Sequence, residues 1–245
     1  MADELRRVFA TPLPSTGGEV VLDDESAQHV RVLRLRAGER VQLFDGLGAA
    51  APATLREVSR ARVICDALAT AFIPAPEAVL HVVVCIPKGK KLDDIARALT
   101  ELGVSSIRLA SSERSVPRPN DSALRLERLE RITREACAQS GQPRTPELYA
   151  PTPLALAAAQ APPDARRFVF WEQGGAPLPR DFGGGQSREV WAVIGPEGGL
   201  SEAEVTALDG LGYASIGLGP AVLRVQTAAP VIAALLLERL GRLQR

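Results

Sequence analysis

Residues 193–205 read VIGPEGGLSEAEV, and residues 218–229 read LGPAVLRVQTAA. In the first stretch an apolar segment runs into a glycine-rich turn, and Ser201 with Glu204 forms a capping box that predicts a helix start. The second stretch begins within a Gly-Leu-Gly-Pro turn at residues 217–220, and this turn follows the apolar segment YASI. Ligands of open α/β sheets bind beyond the carboxyl ends of the strands, and glycines let backbone atoms approach a ligand closely. The two turns therefore predict one pocket, although the first would also serve as a tight strand-to-helix connection.

The chain around these turns alternates between strand and helix patterns. VLHVVVCI, residues 79–86, is a continuous apolar run typical of a strand covered on both faces. KLDDIARALTELGV has apolar residues at spacings of three and four and ends at Gly103, which predicts an amphipathic helix. Asn120 or Asp121 is expected to cap a longer helix. This alternation predicts an α/β domain with a mostly parallel sheet over residues 77–245.

The first 73 residues have a different pattern. Short β-rich segments are separated by turn residues, and Asp45-Gly46 is a hairpin signal. One short helical segment, ESAQHVRVLRL, interrupts them. We therefore expect a small β-barrel over residues 1–73, with Pro74 and Pro76 marking the boundary to the next domain.

Composition excludes several classes of function. The chain has 46% hydrophobic and 24% charged residues, with 29 basic and 29 acidic side chains, so nucleic-acid binding would need a local patch. No apolar run approaches the length of a membrane span, and the amino-terminal stretch has no signal-peptide pattern. Two histidines and three cysteines without C-x-x-C spacing argue against a metal site, a catalytic triad or a disulfide framework, and favour a reduced cytoplasmic protein. Neither a dinucleotide nor a P-loop fingerprint is present.

The two opening motifs resemble the carboxyl-terminal motifs of the SPOUT methyltransferases, and more narrowly those of the family that methylates N3 of a uridine in 16S ribosomal RNA. Four further segments agree with that family in the same order along the chain: QHVRVLRLRAGERVQLFDG, PKGKKLDDIARALTELGV, SSERSV and REACAQSGQPRTPEL. The resemblance therefore covers nearly the whole chain.

The resemblance implies a PUA-like β-barrel at residues 1–73 that binds RNA, followed by a SPOUT methyltransferase domain at residues 77–245 with a carboxyl-terminal trefoil knot. It also implies a homodimer, a cytoplasmic enzyme, S-adenosylmethionine as cofactor and the small ribosomal subunit (30S) as substrate. The residues that match the cofactor-binding loops are Ile194, Gly195, Pro196, Glu197, Gly198, Gly199, Leu218, Gly219, Pro220, Leu223 and Thr227.

Methyl transfer from a sulfonium needs no metal, so positioning and electrostatics are the main tasks of the protein. Arg224 is the first candidate for a catalytic residue, because a guanidinium stabilises the negative charge that develops on the base; the alternative is a structural salt bridge. Glu197 is expected either to act on the N3 proton or to hold a loop amide. Candidate RNA-binding residues are Arg31, Arg34, Lys88, Lys90, Arg114, Arg134 and Arg144, with ordinary solvated surface as the alternative.

The match departs from the family pattern at two positions of the last motif, and also at Ser140 and Gln142, where a cysteine and an arginine are common. Ala221 stands where the family's last motif has an arginine, and Gln226 stands where it has a glutamate. If that glutamate were the general base, glutamine would remove it. The alternatives are therefore a catalytically weakened RNA-binding or ribosome-assembly factor, a SPOUT methyltransferase for another RNA site such as a ribose 2′-hydroxyl, and an α/β protein that binds no RNA.

Overall fold

The computed structural model describes residues 5–115, 122–180, 182 and 188–243, the side chains of 122–125 excepted. The chain forms two compact units. One contains residues 1–75 together with 134–145, and the other contains 76–133 and 146–245. The sequence patterns do not predict that residues 134–145 belong to the amino-terminal unit. The expected helix cap at Asn120 or Asp121 lies outside the described residues.

The first unit is built on a mixed sheet and one helix. The elements are β1 (Arg6–Phe9), β2 (Gly18–Val21), α1 (Asp24–Val32), β3 (Arg40–Phe44), β4 (Ala49–Val58), β5 (Val63–Ala67) and β6 (Ala71–Phe72). The strand order is β1-β3-β4-β5-β2, with β6 paired to β4, and only β1 and β3 pair in parallel.

Local chemistry explains two of these connections. The Asp45 carboxylate accepts the backbone N–H groups of Leu47 and Ala49, and Gly46 has a φ of 72°, so the expected hairpin turn between β3 and β4 is confirmed. Asp23 caps α1 by accepting from the Ser26 N–H at 2.7 Å. Alternate side chains of the strands then pack into an apolar core.

The second unit is a parallel α/β sheet. Its elements are β7 (Val79–Cys85), α2 (Lys91–Leu102), β8 (Ser106–Ser111), α3 (Ser122–Ser140), β9 (Glu147–Pro153), α4 (Leu154–Ala158), β10 (Arg166–Phe170), β11 (Glu189–Ile194), α5 (Glu202–Gly210), β12 (Ala214–Ile216) and α6 (Val225–Arg239). The last residues of α3 belong to the first unit. The order is β12-β10-β11-β7-β8-β9, and every pairing is parallel.

Apolar layers cover both faces of this sheet. One layer includes buried side chains of α2 and α6, such as Leu99 and Leu236, and the other includes those of α4 and α5. The continuous apolar sequence of β7 is therefore explained, and the predicted α/β class is confirmed. Gly103 ends α2 in the left-handed region with a φ of 82°, and the capping box at Ser201 and Glu204 is present.

Three strands were not expected from the sequence: β1, β6 and β9. β6 is only two residues long, and β9 contains Pro151 and Pro153. A proline inside a central strand removes a ladder hydrogen bond, but β9 lies at the sheet edge, where prolines are tolerated. Within the described ranges, no helix is long and apolar enough to cross a membrane.

Candidate functional site

The site lies at the carboxyl ends of three neighbouring strands of the second unit. Phe170, the last residue of β10, pairs with Ile194 at the end of β11 and with Ile216 at the end of β12. The chain segments that follow these strands therefore start side by side. They enclose a cavity of about 320 Å³, within the range of small-molecule sites. Its lining is Phe170, Trp171, Glu172, Gly174, residues 194–199, residues 216–219, residues 221–225, Ala228 and Ile232.

The structure thus brings together most of the predicted cofactor-binding residues. The whole first turn, residues 194–199, lines the cavity, as do Leu218, Gly219 and Leu223. Pro220 and Thr227 are not among the lining residues. The sequence reasoning missed Phe170, Trp171, Glu172 and Gly174, although residues that directly follow a parallel strand are expected at the ligand-binding edge.

Gly199 has a φ of +69°, in the left-handed region that favours glycine. A Cβ there would meet the carboxylate of Glu172, the exposed end of a flexible side chain, which would have to move aside. At Gly195, a Cβ would come within 3.1 Å of Leu200 Cγ, and Leu200 is fully buried. The glycines of the first turn therefore allow it to pack closely against Leu200 on one side and Glu172 on the other.

Glu197 is held in place by groups from the start of α2. Its carboxylate accepts a 2.6 Å hydrogen bond from Lys91 Nζ and is 3.1 and 3.2 Å from the Lys88 backbone nitrogen. Burial works to raise the pKa of the Glu197 carboxyl, but the hydrogen bond from Lys91, with the backbone amides of Glu197 and Lys88, lowers it overall. Glu197 is therefore a carboxylate at neutral pH whose lone pairs already have donors.

Arg224 lies at the cavity and at the start of α6. It is the N-cap residue of that helix, its side chain makes no capping bond, and it is exposed. Within the part of the chain that the structure describes, no acidic group forms an ion pair with it. The amino terminus of a helix carries positive partial charge, so the guanidinium and α6 together create a positive region at the cavity.

The two departures in the last motif of the family, Ala221 and Gln226, differ in their surroundings. Ala221 is exposed and lines the cavity, whereas Gln226 does not line it. Gln226 Oε1 is buried and has no hydrogen-bond partner among the described residues. A buried hydrogen-bond acceptor without a donor lowers the stability of the folded protein, so the Gln226 side-chain oxygen is a destabilising group in the first turn of α6.

Among the predicted RNA-binding residues of the second unit, Lys88 and Arg114 adjoin the cavity. Arg114 Nη1 donates to the backbone oxygen of Gly198 at 2.7 Å, so this guanidinium supports the first turn. The backbone of Lys88 is bound to Glu197 while its side chain is exposed, and Lys90 is exposed at the start of α2.

The predicted RNA-binding residues of the first unit are mostly engaged by the protein. Arg31 donates to the backbone oxygens of Ser59 and Arg60. Arg134 pairs with Glu25 at 3.2 Å, and the Arg144 guanidinium donates to the Ile73 oxygen at 2.8 Å. Arg34 is exposed and has a positive φ of 57°.

Metal ligands and reactive thiols are not gathered in the described ranges. No group of three or more His, Cys, Asp or Glu side chains there could hold a metal ion. The three cysteines are free and buried, and burial raises the pKa of Cys65 to about 11 and the pKa of Cys85 and Cys137 to about 12. These thiols are therefore protonated at neutral pH and are poor nucleophiles.

Comparison with known proteins identifies both units. An RNA methyltransferase domain family matches residues 74–237, and an RNA methyltransferase PUA domain family matches residues 22–68. Proteins called ribosomal RNA small subunit methyltransferase E are similar over most of their length. The one from Mycobacterium bovis is 28% identical over 230 residues, covering 91% of this chain and 87% of its own. The one from Aquifex aeolicus is 27% identical, covering 91% and 95%.

A solved structure has the same fold over both units. The crystal structure of ribosomal RNA small subunit methyltransferase E from Neisseria gonorrhoeae, bound to S-adenosyl methionine, is 27% identical. It has a TM-score of 0.86 and covers 96% of this chain and 97% of its own.

Proposed function

Because this chain belongs to the RNA methyltransferase family, whose domain covers residues 74–237, we propose that it methylates N3 of a uridine in 16S ribosomal RNA. The enzyme uses S-adenosylmethionine as methyl donor. The observation that carries the proposal is the cavity formed by the segments after β10, β11 and β12, in a chain similar to small-subunit RNA methyltransferases over nearly its whole length.

The residues of the cavity fit this cofactor. Apolar side chains of Phe170, Ile194 and Ile216 form one part of the lining, and backbone groups of the two glycine-rich turns form another. Apolar walls suit an adenine ring, and backbone N–H and C=O groups suit its hydrogen-bonding edge. The close packing at Gly195 and Gly199 keeps those backbone groups at the cavity surface.

S-adenosylmethionine would supply a methyl group on a sulfonium, whose thioether product is a good leaving group without a metal. N3 of the uracil gives up its proton to solvent and bonds to the methyl carbon as the methyl–sulfur bond breaks and S-adenosylhomocysteine leaves. Arg224 stabilises the negative charge that appears on the uracil ring as N3 loses this proton. Its guanidinium is exposed at the cavity, without an acidic partner in the described chain, and beside the positive end of α6. A fixed positive group at the place where charge develops lowers the barrier because it needs no reorganisation during the reaction.

Glu197 keeps the first turn in shape. Its lone pairs are used by Lys91 and by the Lys88 amide, and its lowered pKa makes it a weak proton acceptor. We therefore assign it to holding the loop at residues 195–199 against the start of α2, and not to removing the N3 proton.

Several finer features belong to the same proposal. Residues 1–73, joined by the segment 134–145, form a PUA-like β-barrel that binds RNA, and the rest of residues 77–245 forms a SPOUT domain with a trefoil knot. The enzyme is a cytoplasmic homodimer. Support for the dimer comes from exposed apolar side chains at the cavity and on α6: Val222 is 74% exposed and Val231 37%. Such side chains commonly mark a protein–protein contact.

The substrate RNA is held by cationic side chains near the cavity and on the first unit. Lys88 and Lys90 are exposed lysines suited to phosphate, and Arg34 is an exposed arginine of the first unit. N3 lies on the base-pairing edge of uracil, so the target uridine must be unpaired or turned out of a helix. We propose that the 30S particle presents it in that state.

Expression of the chain in a strain that lacks 3-methyluridine in its 16S ribosomal RNA tests the proposal. Nucleoside mass spectrometry of purified 16S RNA should show 3-methyluridine restored. A ribose-methylated nucleoside in its place would assign another RNA site, and an unchanged nucleoside profile with the protein bound to 30S particles would support the catalytically weakened alternative.

A further inference from the structure

Glu172 is a carboxylate of the cavity that the protein leaves without a cation. It follows β10 by two residues, lines the cavity and lies against Gly199. No hydrogen bond or ion pair from the described part of the chain engages its side chain, whereas the other carboxylate of the lining, Glu197, is bound by Lys91. Glu172 is exposed. A ligand that covers its carboxylate must bring hydrogen-bond donors, because a buried carboxylate without donors costs free energy.

The charges of the cavity point to the kind of donor. The lining carries Glu172, Glu197 and Arg224, and Lys91 balances Glu197. The remaining positive group, Arg224, repels a cofactor that carries a sulfonium and an ammonium against a single carboxylate. A carboxylate at the same cavity offsets that repulsion. Glu172 is the lining residue in a position to supply it.

Resting on the proposed function, we infer that Glu172 is a cofactor-binding residue that accepts a hydrogen bond from the α-ammonium group of S-adenosylmethionine. The ammonium has three N–H donors, and a charge-assisted hydrogen bond to a carboxylate is stronger than a neutral one. A sulfonium has no N–H or O–H donor, so it would leave the carboxylate oxygens unsatisfied. Ribose hydroxyls could donate, but they would leave the positive charge uncompensated.

The position of Glu172 explains why it is suited to this role. It stands after the central one of the three strands that bear the cavity, between the turn at residues 195–199 and the turn at residues 217–219. Its carboxylate occupies the space that a side chain at position 199 would otherwise fill. The missing side chain of Gly199 therefore gives the carboxylate its place at the cavity.

Titration calorimetry with three ligands tests the inference. S-adenosylmethionine has both cationic centres, S-adenosylhomocysteine has only the ammonium, and methylthioadenosine has neither. We expect Glu172→Gln to weaken the binding of S-adenosylmethionine and S-adenosylhomocysteine by about ten- to a hundredfold, and the binding of methylthioadenosine by less than about twofold. Glu172→Asp, which keeps the charge, should recover part of the loss. Glu202→Gln, an exposed carboxylate on α5 outside the lining, is the matched control and should change none of the three.

Other outcomes overturn the inference. Equal weakening of all three ligands would assign Glu172 to the ribose or to the shape of the cavity. Weakening of S-adenosylmethionine alone would assign it to the sulfonium, and no change would leave it without a role in binding. If the unmodified protein binds none of the three ligands, the proposed function itself fails, and that result does not involve the variant.

Discussion

The Lys91 ammonium lies 2.6 Å from Glu197 Oε1, and this contact ties the glycine-rich turn after β11 to the first residue of α2. The Lys88 backbone N–H reaches the same carboxylate, and Arg114 holds the Gly198 oxygen on the other side. The cavity edge is therefore fixed by charged residues, of which Lys88 and Arg114 are also predicted to bind RNA. Disturbing these contacts should change cofactor binding before it changes RNA binding.

The first prediction concerns the pH dependence of the turn. The pKa of Glu197 is lowered in the folded protein. The stability that this carboxylate contributes to the folded protein is therefore complete above the ordinary pKa of 4.5, and it is lost as pH falls through the lower pKa of the folded state. We expect cofactor affinity to be constant from neutral pH down to about pH 4.5 and to fall only below that, as the Glu197 carboxylate becomes protonated. Glu197→Gln should bind more weakly at neutral pH and lose this part of the pH dependence, as calorimetry at several pH values would show.

A double-mutant cycle provides the control for that prediction. Lys91→Met and Glu197→Gln should each weaken cofactor binding, and the double variant should be little worse than either one, because both remove the same contact. Arg97→Ala removes an exposed cation of the same helix and should have no effect. Additive losses would show that the contact does not hold the turn.

The second prediction concerns Arg224. Arg224→Ala should lower kcat by about 10²–10³-fold, the usual cost of losing a charge-stabilising donor, while the cofactor binds at least as tightly as it does to the unmodified protein, because Arg224 repels its positive charge. Arg224→Lys should be intermediate, since an ammonium keeps the charge but not the planar fork. Single-turnover methylation and calorimetry separate the two effects. A matching loss of cofactor affinity would assign Arg224 to the cofactor site and not to the base.

The third prediction concerns Gly199. Gly199→Ala should destabilise the protein by about 1–3 kcal/mol, because alanine is strained at positive φ; the exposed Glu172 carboxylate can move away from the new Cβ. Adding Glu172→Ala should therefore recover little of this loss of stability. Gly210→Ala, at the end of α5 with open space around it, is the control and should be neutral or slightly stabilising. Urea unfolding measures all three. Full recovery in the double variant would mean that backbone strain contributes nothing.

The fourth prediction separates RNA contacts from structural cations. Lys90→Ala should reduce the slope of log affinity for 16S RNA against log salt by about 0.7–0.9 and leave thermal stability unchanged. Arg144→Ala should instead cost about 1 kcal/mol of stability, because its guanidinium donates to the Ile73 oxygen and lies over the Phe72 ring. Filter binding at several salt concentrations and thermal unfolding distinguish them. An unchanged salt slope in Lys90→Ala would remove this residue from the RNA-binding set.

The fifth prediction concerns the homodimer. Val231→Asp places a charge on an exposed apolar position of α6 and should shift the protein from dimer to monomer in light scattering. Leu156→Asp, at a 59% exposed position on α4, is the matched control and should leave the mass unchanged. A dimer that persists in Val231→Asp would place the interface elsewhere.

Much of the second unit could be predicted because its sequence patterns are local. The apolar run of β7, the spacing of apolar residues in α2 and the capping box at Ser201 each specify an element within one short segment. The two glycine-rich turns also predicted a shared pocket, since the carboxyl ends of parallel strands meet at one edge of a sheet. In the structure, the whole of the first turn and most of the second line one cavity.

What the sequence did not reveal depends on contacts between distant residues. The strand β9 contains two prolines, and only its place at the sheet edge makes them acceptable. Glu172 had no motif of its own, and its proximity to Gly199 exists only because β10 and β11 are neighbours. Likewise, the sequence predicts that Arg31 and Arg144 bind phosphate, but in the folded protein both side chains donate to backbone oxygens.

Transfer of labelled methyl from S-adenosylmethionine to 30S particles that lack the modification tests the central claim most directly. The account predicts that the unmodified protein labels 16S RNA, that the label is recovered as 3-methyluridine, and that folded Arg224→Ala loses nearly all of this activity while still binding the cofactor. Absence of label from 16S RNA with the unmodified protein, or full activity in Arg224→Ala, would contradict it.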